Sequence, residues 1–272
     1  MTLLQSILLG IVQGLTEFLP ISSSAHLVIV PYLLNWDIPP KQAFIFDVLV
    51  QLGTLLALII YFRQDLYRIL LAMINGLADR QPFSKPESLL GWLLILGTIP
   101  AVVAGLFFKD TVELAFGKPI TVGLLLFGTA ALLVTAELAG KRSRQIESIK
   151  WLDALIVGLF QALSLLPGIS RSGSTISGGM LRNLDRPSAA RFSFLLSVPV
   201  MIGAGFLATL DLLKLSDVLV QIPTLLAGFI TSAVVGYFAI RWLLAYLVRR
   251  SLYIFAAYCI GLGIVVILVY LL

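Results

Sequence analysis

Cysteine and histidine are almost missing from this chain: Cys259 and His26 each stand alone among 272 residues. A single thiol excludes an internal disulfide and any thiolate-bound metal cluster, and leaves Cys259 as a packing residue in the last apolar run. Charge is scarce as well. Only 12% of the residues are charged against 59% hydrophobic, too little polar surface to cover a soluble globule of this length. The first basic residue is Lys41, so the N-terminus lacks the cationic start of a signal peptide, and no small-residue cleavage site follows its apolar run. It is expected to be retained.

The chain has apolar length in place of charge. Runs of about 20 residues, enough to cross a ~30 Å hydrocarbon layer, extend from Phe44 to Phe62, Leu89 to Phe108, Ile120 to Leu138, Phe192 to Leu212, Leu219 to Ala239 and Tyr253 to Leu272. This predicts an all-α polytopic membrane protein with six transmembrane helices. Two further apolar segments are shorter and are cut by a proline and a cluster of hydroxyls: Pro20-Ile21-Ser22-Ser23-Ser24-Ala25-His26 and Pro167-Gly168-Ile169-Ser170-Arg171-Ser172-Gly173-Ser174-Thr175. Non-helical backbone at membrane depth must line a cavity or be buried in protein, so each reads as a re-entrant helix, loop and half-helix. The alternative is a pair of ordinary spans kinked at proline.

The two segments are copies. Gly10, Gln13, Leu15 and Thr16 align with Gly158, Gln161, Leu163 and Ser164, after which Glu17 is one extra residue and Ser23 falls opposite Ser170. Further along, Gly97-Thr98-Ile99 echoes Gly228-Phe229-Ile230. The expectation is one integral membrane domain over 1–272 made of a first repeat, 1–140, and a second, 149–272. Each repeat holds one re-entrant element and three spans. Three is odd, so the halves are expected to be inverted, with the loops meeting near the midplane.

Charge sets the orientation. Fourteen of the 19 basic residues fall on one face, between Arg63 and Lys85, Lys141 and Lys150, Arg182 and Arg191, and Arg241 and Arg250. Lys41, Lys109, Lys118 and Lys214 fall on the other, with Arg171 set apart. The first face is cytoplasmic by the positive-inside rule. The net charge of +5 then reflects orientation and contact of the bilayer's anionic headgroups, and no nucleic acid is called for.

Ionisable groups inside a membrane are costly and mark function, and Glu17, His26 and Arg171 are the three in or beside the loops. Arg171 offers a planar fork for phosphate oxygens. Ser170, Ser172, Ser174 and Thr175 add hydroxyls around it, and Gly173 lets backbone approach an anion at a helix N-terminus. A bare counter-ion for Glu17 is the competing role for Arg171. Gln13 and Glu17, four residues apart, share a helix face and suit Mg²⁺ or Ca²⁺ borne by a diphosphate, although Gln13 is equally placed for helix-to-helix hydrogen bonding. His26 lies in the first turn of a half-helix, where the positive end favours a neutral imidazole fit for a base or nucleophile. Ser23 is either a second nucleophile or an inherited loop hydroxyl, and water is the third.

Gln13-Gly14-Leu15-Thr16-Glu17-Phe18-Leu19-Pro20, with Ser22 to His26 and the Pro167 to Thr175 segment, resembles the two signature motifs of the bacterial undecaprenyl-diphosphatases, the bacitracin-resistance proteins. The resemblance covers essentially the whole chain. It implies removal of the terminal phosphate of undecaprenyl diphosphate, which recycles the lipid carrier of peptidoglycan synthesis, in a metal-dependent site open to the outer face of the inner membrane. By the same resemblance Glu17, His26, Ser23, Ser170 and Arg171 fill the family's site positions. Gln13 stands where the family has glutamate or glutamine, so the cation is expected to arrive with the diphosphate. Ser24 and Ala25 replace a favoured threonine and glycine. A lipid transporter with the same broken helices is the rival reading, and a homodimer is compatible with the sequence.

Overall fold

The computed structural model describes residues 1–108, 118–212 and 222–271. Lys109, Lys214 and the expected start of a span at Leu219 lie outside the described residues, as does Leu272. Among the described residues the chain forms eleven α-helices: α1 Leu3–Thr16, α2 Ser23–Leu33, α3 Pro40–Tyr61, α4 Arg63–Ala78, α5 Pro86–Phe107, α6 Pro119–Ala139, α7 Trp151–Leu163, α8 Arg171–Leu181, α9 Arg186–Leu212, α10 Ile222–Leu247 and α11 Tyr253–Leu271. Local chemistry starts them. Thr2 accepts from the Gln5 amide while the Gln5 side chain accepts from the Thr2 amide, a capping box for α1. Proline fills the first position of α3, α5 and α6, where its missing N–H costs nothing.

Six helices, α3, α5, α6, α9, α10 and α11, are long and apolar enough to cross a membrane, as expected. The four helices of the loop segments are not. They have 14, 11, 13 and 11 residues, roughly 16–21 Å at 1.5 Å per residue, against a ~30 Å core. Helix stops at Thr16 and at Leu163 and restarts after a turn, with Pro20 and Pro167 in the turns. These are two helix-turn-helix hairpins and not kinked spans.

One helix departs from expectation. Arg63 to Lys85 reads as a charged loop, yet residues 63–78 form α4. It buries Ile69, Ala72 and Gly76 against the bundle and turns Leu70, Ile74 and Leu77 outward. Its charged residues broke the apolar run that a span requires, while the 3.6-residue spacing of its buried positions still specified an amphipathic helix.

Packing is reciprocal between the halves. The first hairpin lays α1 on α10, and the second lays α7 on α5. Both crossings are glycine on glycine. A Cβ on Gly10 would stand 2.8 Å from the Gly228 carbonyl oxygen, and one on Gly158 would overlap the Gly97 carbonyl. Such close approach is how helices gain contact where lipid competes with every apolar side chain. The pairs α6 with α11 and α3 with α9 close the bundle.

Two buried carboxylates fasten the stretch between the halves. Glu137 at the end of α6, 4% exposed, accepts from Arg142, Arg186 and the Leu252 amide at 2.9, 2.7 and 2.7 Å. Asp153 at the start of α7, 1% exposed, accepts from Arg144 and Arg182, each at 2.7 Å, and from the Lys150 amide at 2.9 Å. Asp153→Asn keeps the shape and removes the charge. It is expected to lower unfolding free energy by about 2–3 kcal/mol, less than a fully buried pair because both arginines are partly exposed. Thermal unfolding in detergent checks this, and an unchanged midpoint would reduce the cluster to surface ion pairs.

Candidate active site

The turn after α1 and the turn after α7 meet at one carboxylate. Glu17 and Gln13 are both buried, and the helix puts them on one face as the four-residue spacing predicts. Gln13 Nε2 donates to Glu17 Oε2 at 2.9 Å, and Ser23 Oγ donates to the same oxygen at 2.6 Å. Glu17 Oε1 pairs with the Arg171 guanidinium from the second loop. The counter-ion role and a place in the site therefore coincide in Arg171. The Gln13 amide oxygen, buried, has no partner, and neither does the amide oxygen of Gln161 at the repeat-related position.

The second loop is held from behind. Gly168 takes a φ of 109°, open to glycine but strained for other residues. Its carbonyl accepts from Thr129 Oγ1 of α6 at 2.8 Å, and that oxygen accepts from the Ser170 amide at 2.9 Å. Ser170 caps α8 by accepting from the Gly173 amide at 3.0 Å. Ser172 Oγ donates to the Leu19 carbonyl at 3.1 Å, tying the second loop to the first. Ser174 donates to the Ser170 carbonyl at 2.6 Å, and Thr175 to the Arg171 carbonyl at 2.7 Å, while Thr175 also meets Ser193.

A cleft of about 250 Å³ opens between the loops. Glu17, Ser22, Ser23, Ser24, Gln51, Gln161, Ser164, Ser170 and Arg171 line its polar part, and Ala101, Leu165, Ile169, Val200, Met201 and Ala204 line the rest. Of the hydroxyl cluster expected around Arg171, Ser170 faces this cleft. Ser172, Gly173, Ser174 and Thr175 are buried in the first turns of α8 behind it. His26 is also set back: its ring Nδ1 lies 2.7 Å from the Ser22 carbonyl oxygen and its Nε2 lies 2.8 Å from the Tyr258 hydroxyl, so its hydrogen bonds bypass Ser23.

The structure corrects the register of the duplication. Ser22 caps α2 and touches Ser24 at 3.2 Å, just as Ser170 caps α8 and touches Ser172 at 3.1 Å. Ser22 thus matches Ser170 at the same separation that relates Gln13 to Gln161, with no residue inserted. The gap at Glu17 came from matching the prolines, which occupy different places in the two turns. In the corrected register Ser23 is the counterpart of Arg171, and these two first residues of α2 and α8 grip the two oxygens of Glu17.

Thr129 and Tyr258 escape a search for charged residues in loops. Each is one of several polar side chains within its span, and nothing in the sequence sets either apart.

Residues 6–265 match the sequence family described as bacitracin resistance protein BacA. The chain is 44% identical over 275 residues to the undecaprenyl-diphosphatase of Chloroherpeton thalassium, covering 97% of this chain and 95% of that protein. Undecaprenyl-diphosphatases of Chlorobium phaeovibrioides and Chlorobaculum tepidum are each 45% identical, over 279 and 272 residues, covering 98% and 97% of this chain and 97% and 95% of theirs.

Thr129→Val keeps the volume and strips both bonds from the second loop. The buried Gly168 carbonyl and Ser170 amide then lose a partner, at a cost of about 1–3 kcal/mol. Faster amide hydrogen exchange at residues 168–173 than in the parent is the expected readout.

Proposed function

Because the chain belongs to the bacitracin resistance protein BacA family, we propose that it is an undecaprenyl-diphosphate phosphatase working in the cleft between the loops. It hydrolyses undecaprenyl diphosphate to undecaprenyl phosphate and inorganic phosphate, the step that recycles the lipid carrier and confers bacitracin resistance. The observation that carries the reading is Glu17 held between Ser23 of one loop and Arg171 of the other. A carrier needs the arginine alone. Hydroxyl, carboxylate and guanidinium together make a nucleophile, its base and an electrostatic clamp.

Arg171 turns from Glu17 to the terminal phosphate oxygens as the diphosphate enters, and Glu17 is left facing Ser23 without its counter-charge. Ser23 Oγ gives its proton to Glu17 Oε2 and bonds to the terminal phosphorus. The anhydride P–O bond breaks, and undecaprenyl phosphate leaves. Water, passing a proton to an oxygen of the serine-bound phosphate, then displaces Ser23 Oγ, which takes back the proton from Glu17, and inorganic phosphate departs. The apolar wall of Val200, Met201 and Ala204 on α9 receives the start of the prenyl chain.

The donor set suits a divalent cation, Mg²⁺ or Ca²⁺, that travels with the substrate. Among the described residues no group of three His, Cys, Asp or Glu is arranged to store one. Glu17 and the unpartnered oxygen of Gln13 would supply two ligands, and phosphates and water the others. When bound, the cation would neutralise charge on the phosphate oxygens.

The chain is a multi-pass membrane protein. The bacterial plasma (inner) membrane, with the cleft open to the outer face, is the location supported by the family and by the uneven split of basic residues. The reciprocal packing of α1 on α10 and α7 on α5 supports inverted halves.

Purified protein in detergent should release phosphate from a polyprenyl diphosphate. Arg171→Ala and Ser23→Ala should each slow release by roughly 10²–10³-fold, and full release by Arg171→Ala would end the proposal. Chelator should stop the reaction until Mg²⁺ or Ca²⁺ is restored. Gln13→Glu adds an anionic ligand and should lower the cation concentration for half-maximal rate several-fold, read by cation titration.

A further inference from the structure

We infer that His26 is a positioning residue: it locks the backbone of the first loop so that Ser23 meets Glu17, with Tyr258 of α11 holding the ring. The inference rests on the phosphatase reading and assigns its base to Glu17 alone.

Hydrogen-bond roles come first. The Ser22 carbonyl can only accept, so His26 Nδ1, 2.7 Å away, carries a proton and donates it. In the neutral ring the Nε2 lone pair then accepts from the Tyr258 hydroxyl at 2.8 Å. The two rings lie 7° from parallel. Both nitrogens are engaged away from Ser23, whose hydroxyl goes to Glu17. His26 is 5% exposed and forms no part of the cleft lining.

The second loop contains the same device without a histidine. Ser174 is the fourth residue after the cap Ser170, as His26 is the fourth after the cap Ser22. The Ser174 hydroxyl donates to the Ser170 carbonyl at 2.6 Å and is fully buried. A donor reaching back to the cap carbonyl is therefore common to both loops. One is a hydroxyl with no access to the cleft.

The first loop needs the stronger fastening. Ser22 has a φ of 69° where Ser170 has −68°. A side-chain-bearing residue in the left-handed region is strained and persists only when its surroundings fix it. The Ser22 carbonyl receives two donors from His26, the backbone amide at 3.3 Å and the ring at 2.7 Å. That carbonyl sets the direction of the next residue, Ser23, and so its reach to Glu17. Tyr258 brings the last helix into the same chain of bonds, and the Cys259 thiol meets the Pro20 carbonyl beside it.

The test compares His26→Ala with His26→Ser, which copies Ser174, and with Tyr258→Phe, by phosphate release from a polyprenyl diphosphate across pH. His26→Ala should lose about 10²-fold, the scale of a misplaced reacting group. His26→Ser restores a donor to the Ser22 carbonyl and should stay within about tenfold of the parent, with its pH profile unmoved. Tyr258→Phe should lower kcat a few-fold, roughly the effect of one lost hydrogen bond, and leave KM unchanged. If His26→Ser proves as inactive as His26→Ala, or the acid limb of the profile vanishes in it, His26 is the base and the inference falls. His26→Asn, whose amide N–H stands near the place of Nδ1–H, repeats the comparison, and failure of both the Ser and Asn proteins to fold would equally refute a role met by a single donor. Absence of phosphate release from the unaltered protein would sink the phosphatase reading itself, a separate outcome.

Discussion

A buried carboxylate has to be surrounded by hydrogen-bond donors, and Glu17 is the group that imposes this demand here. One oxygen takes a guanidinium, and the other takes a hydroxyl and an amide. The donors come from α1, the first loop and the second loop, so the demand can be met only if both hairpins reach the same point. Much of the architecture follows from that meeting. The glycine crossings bring α1 and α7 close to their partners, Thr129 pins the second turn, and Ser172 ties the turns together.

The two hairpins build the site from matching parts. Each hairpin offers a capping serine, a following residue that points at the shared centre, a serine beside the cap and a donor one turn on. Ser23 and Arg171 are the same position with different chemistry, as are His26 and Ser174. The two hairpins share this geometry and differ at these side chains, a carboxylate-bound hydroxyl in one and a guanidinium in the other. Both hairpins also hold a buried glutamine whose amide oxygen has no partner, Gln13 and Gln161.

The sequence was most legible where length and composition decide. A span needs about 20 apolar residues whatever it packs against, so the six long helices were readable, although α9 begins at Arg186 and α10 runs on to Leu247, beyond the apolar runs that announced them. The interrupted segments were readable because proline and serine clusters at membrane depth have few explanations. Register was not. Proline is a conspicuous marker, but its place in a turn is set by φ, and Pro20 and Pro167 fill different places, whereas the caps Ser22 and Ser170 are equivalent. The α4 helix was hidden by its charges. Glu137 and Asp153 were hidden because carboxylates near positively charged loops look solvated, and only the folded chain surrounds them with arginines. One partner of His26, Tyr258, lies across the molecule, and no local pattern announces it.

The crossing of α1 on α10 has a consequence for how the protein is made. Translation delivers α1 first and its packing partner only after Ile222. Until then Gly10 has no helix against it, and until residue 171 is made Glu17 lacks its arginine. The helices α1 and α7 each take their main packing partner from the other half, so neither half is complete as a unit when it emerges. The completed site therefore exists only once nearly all of the chain has been made.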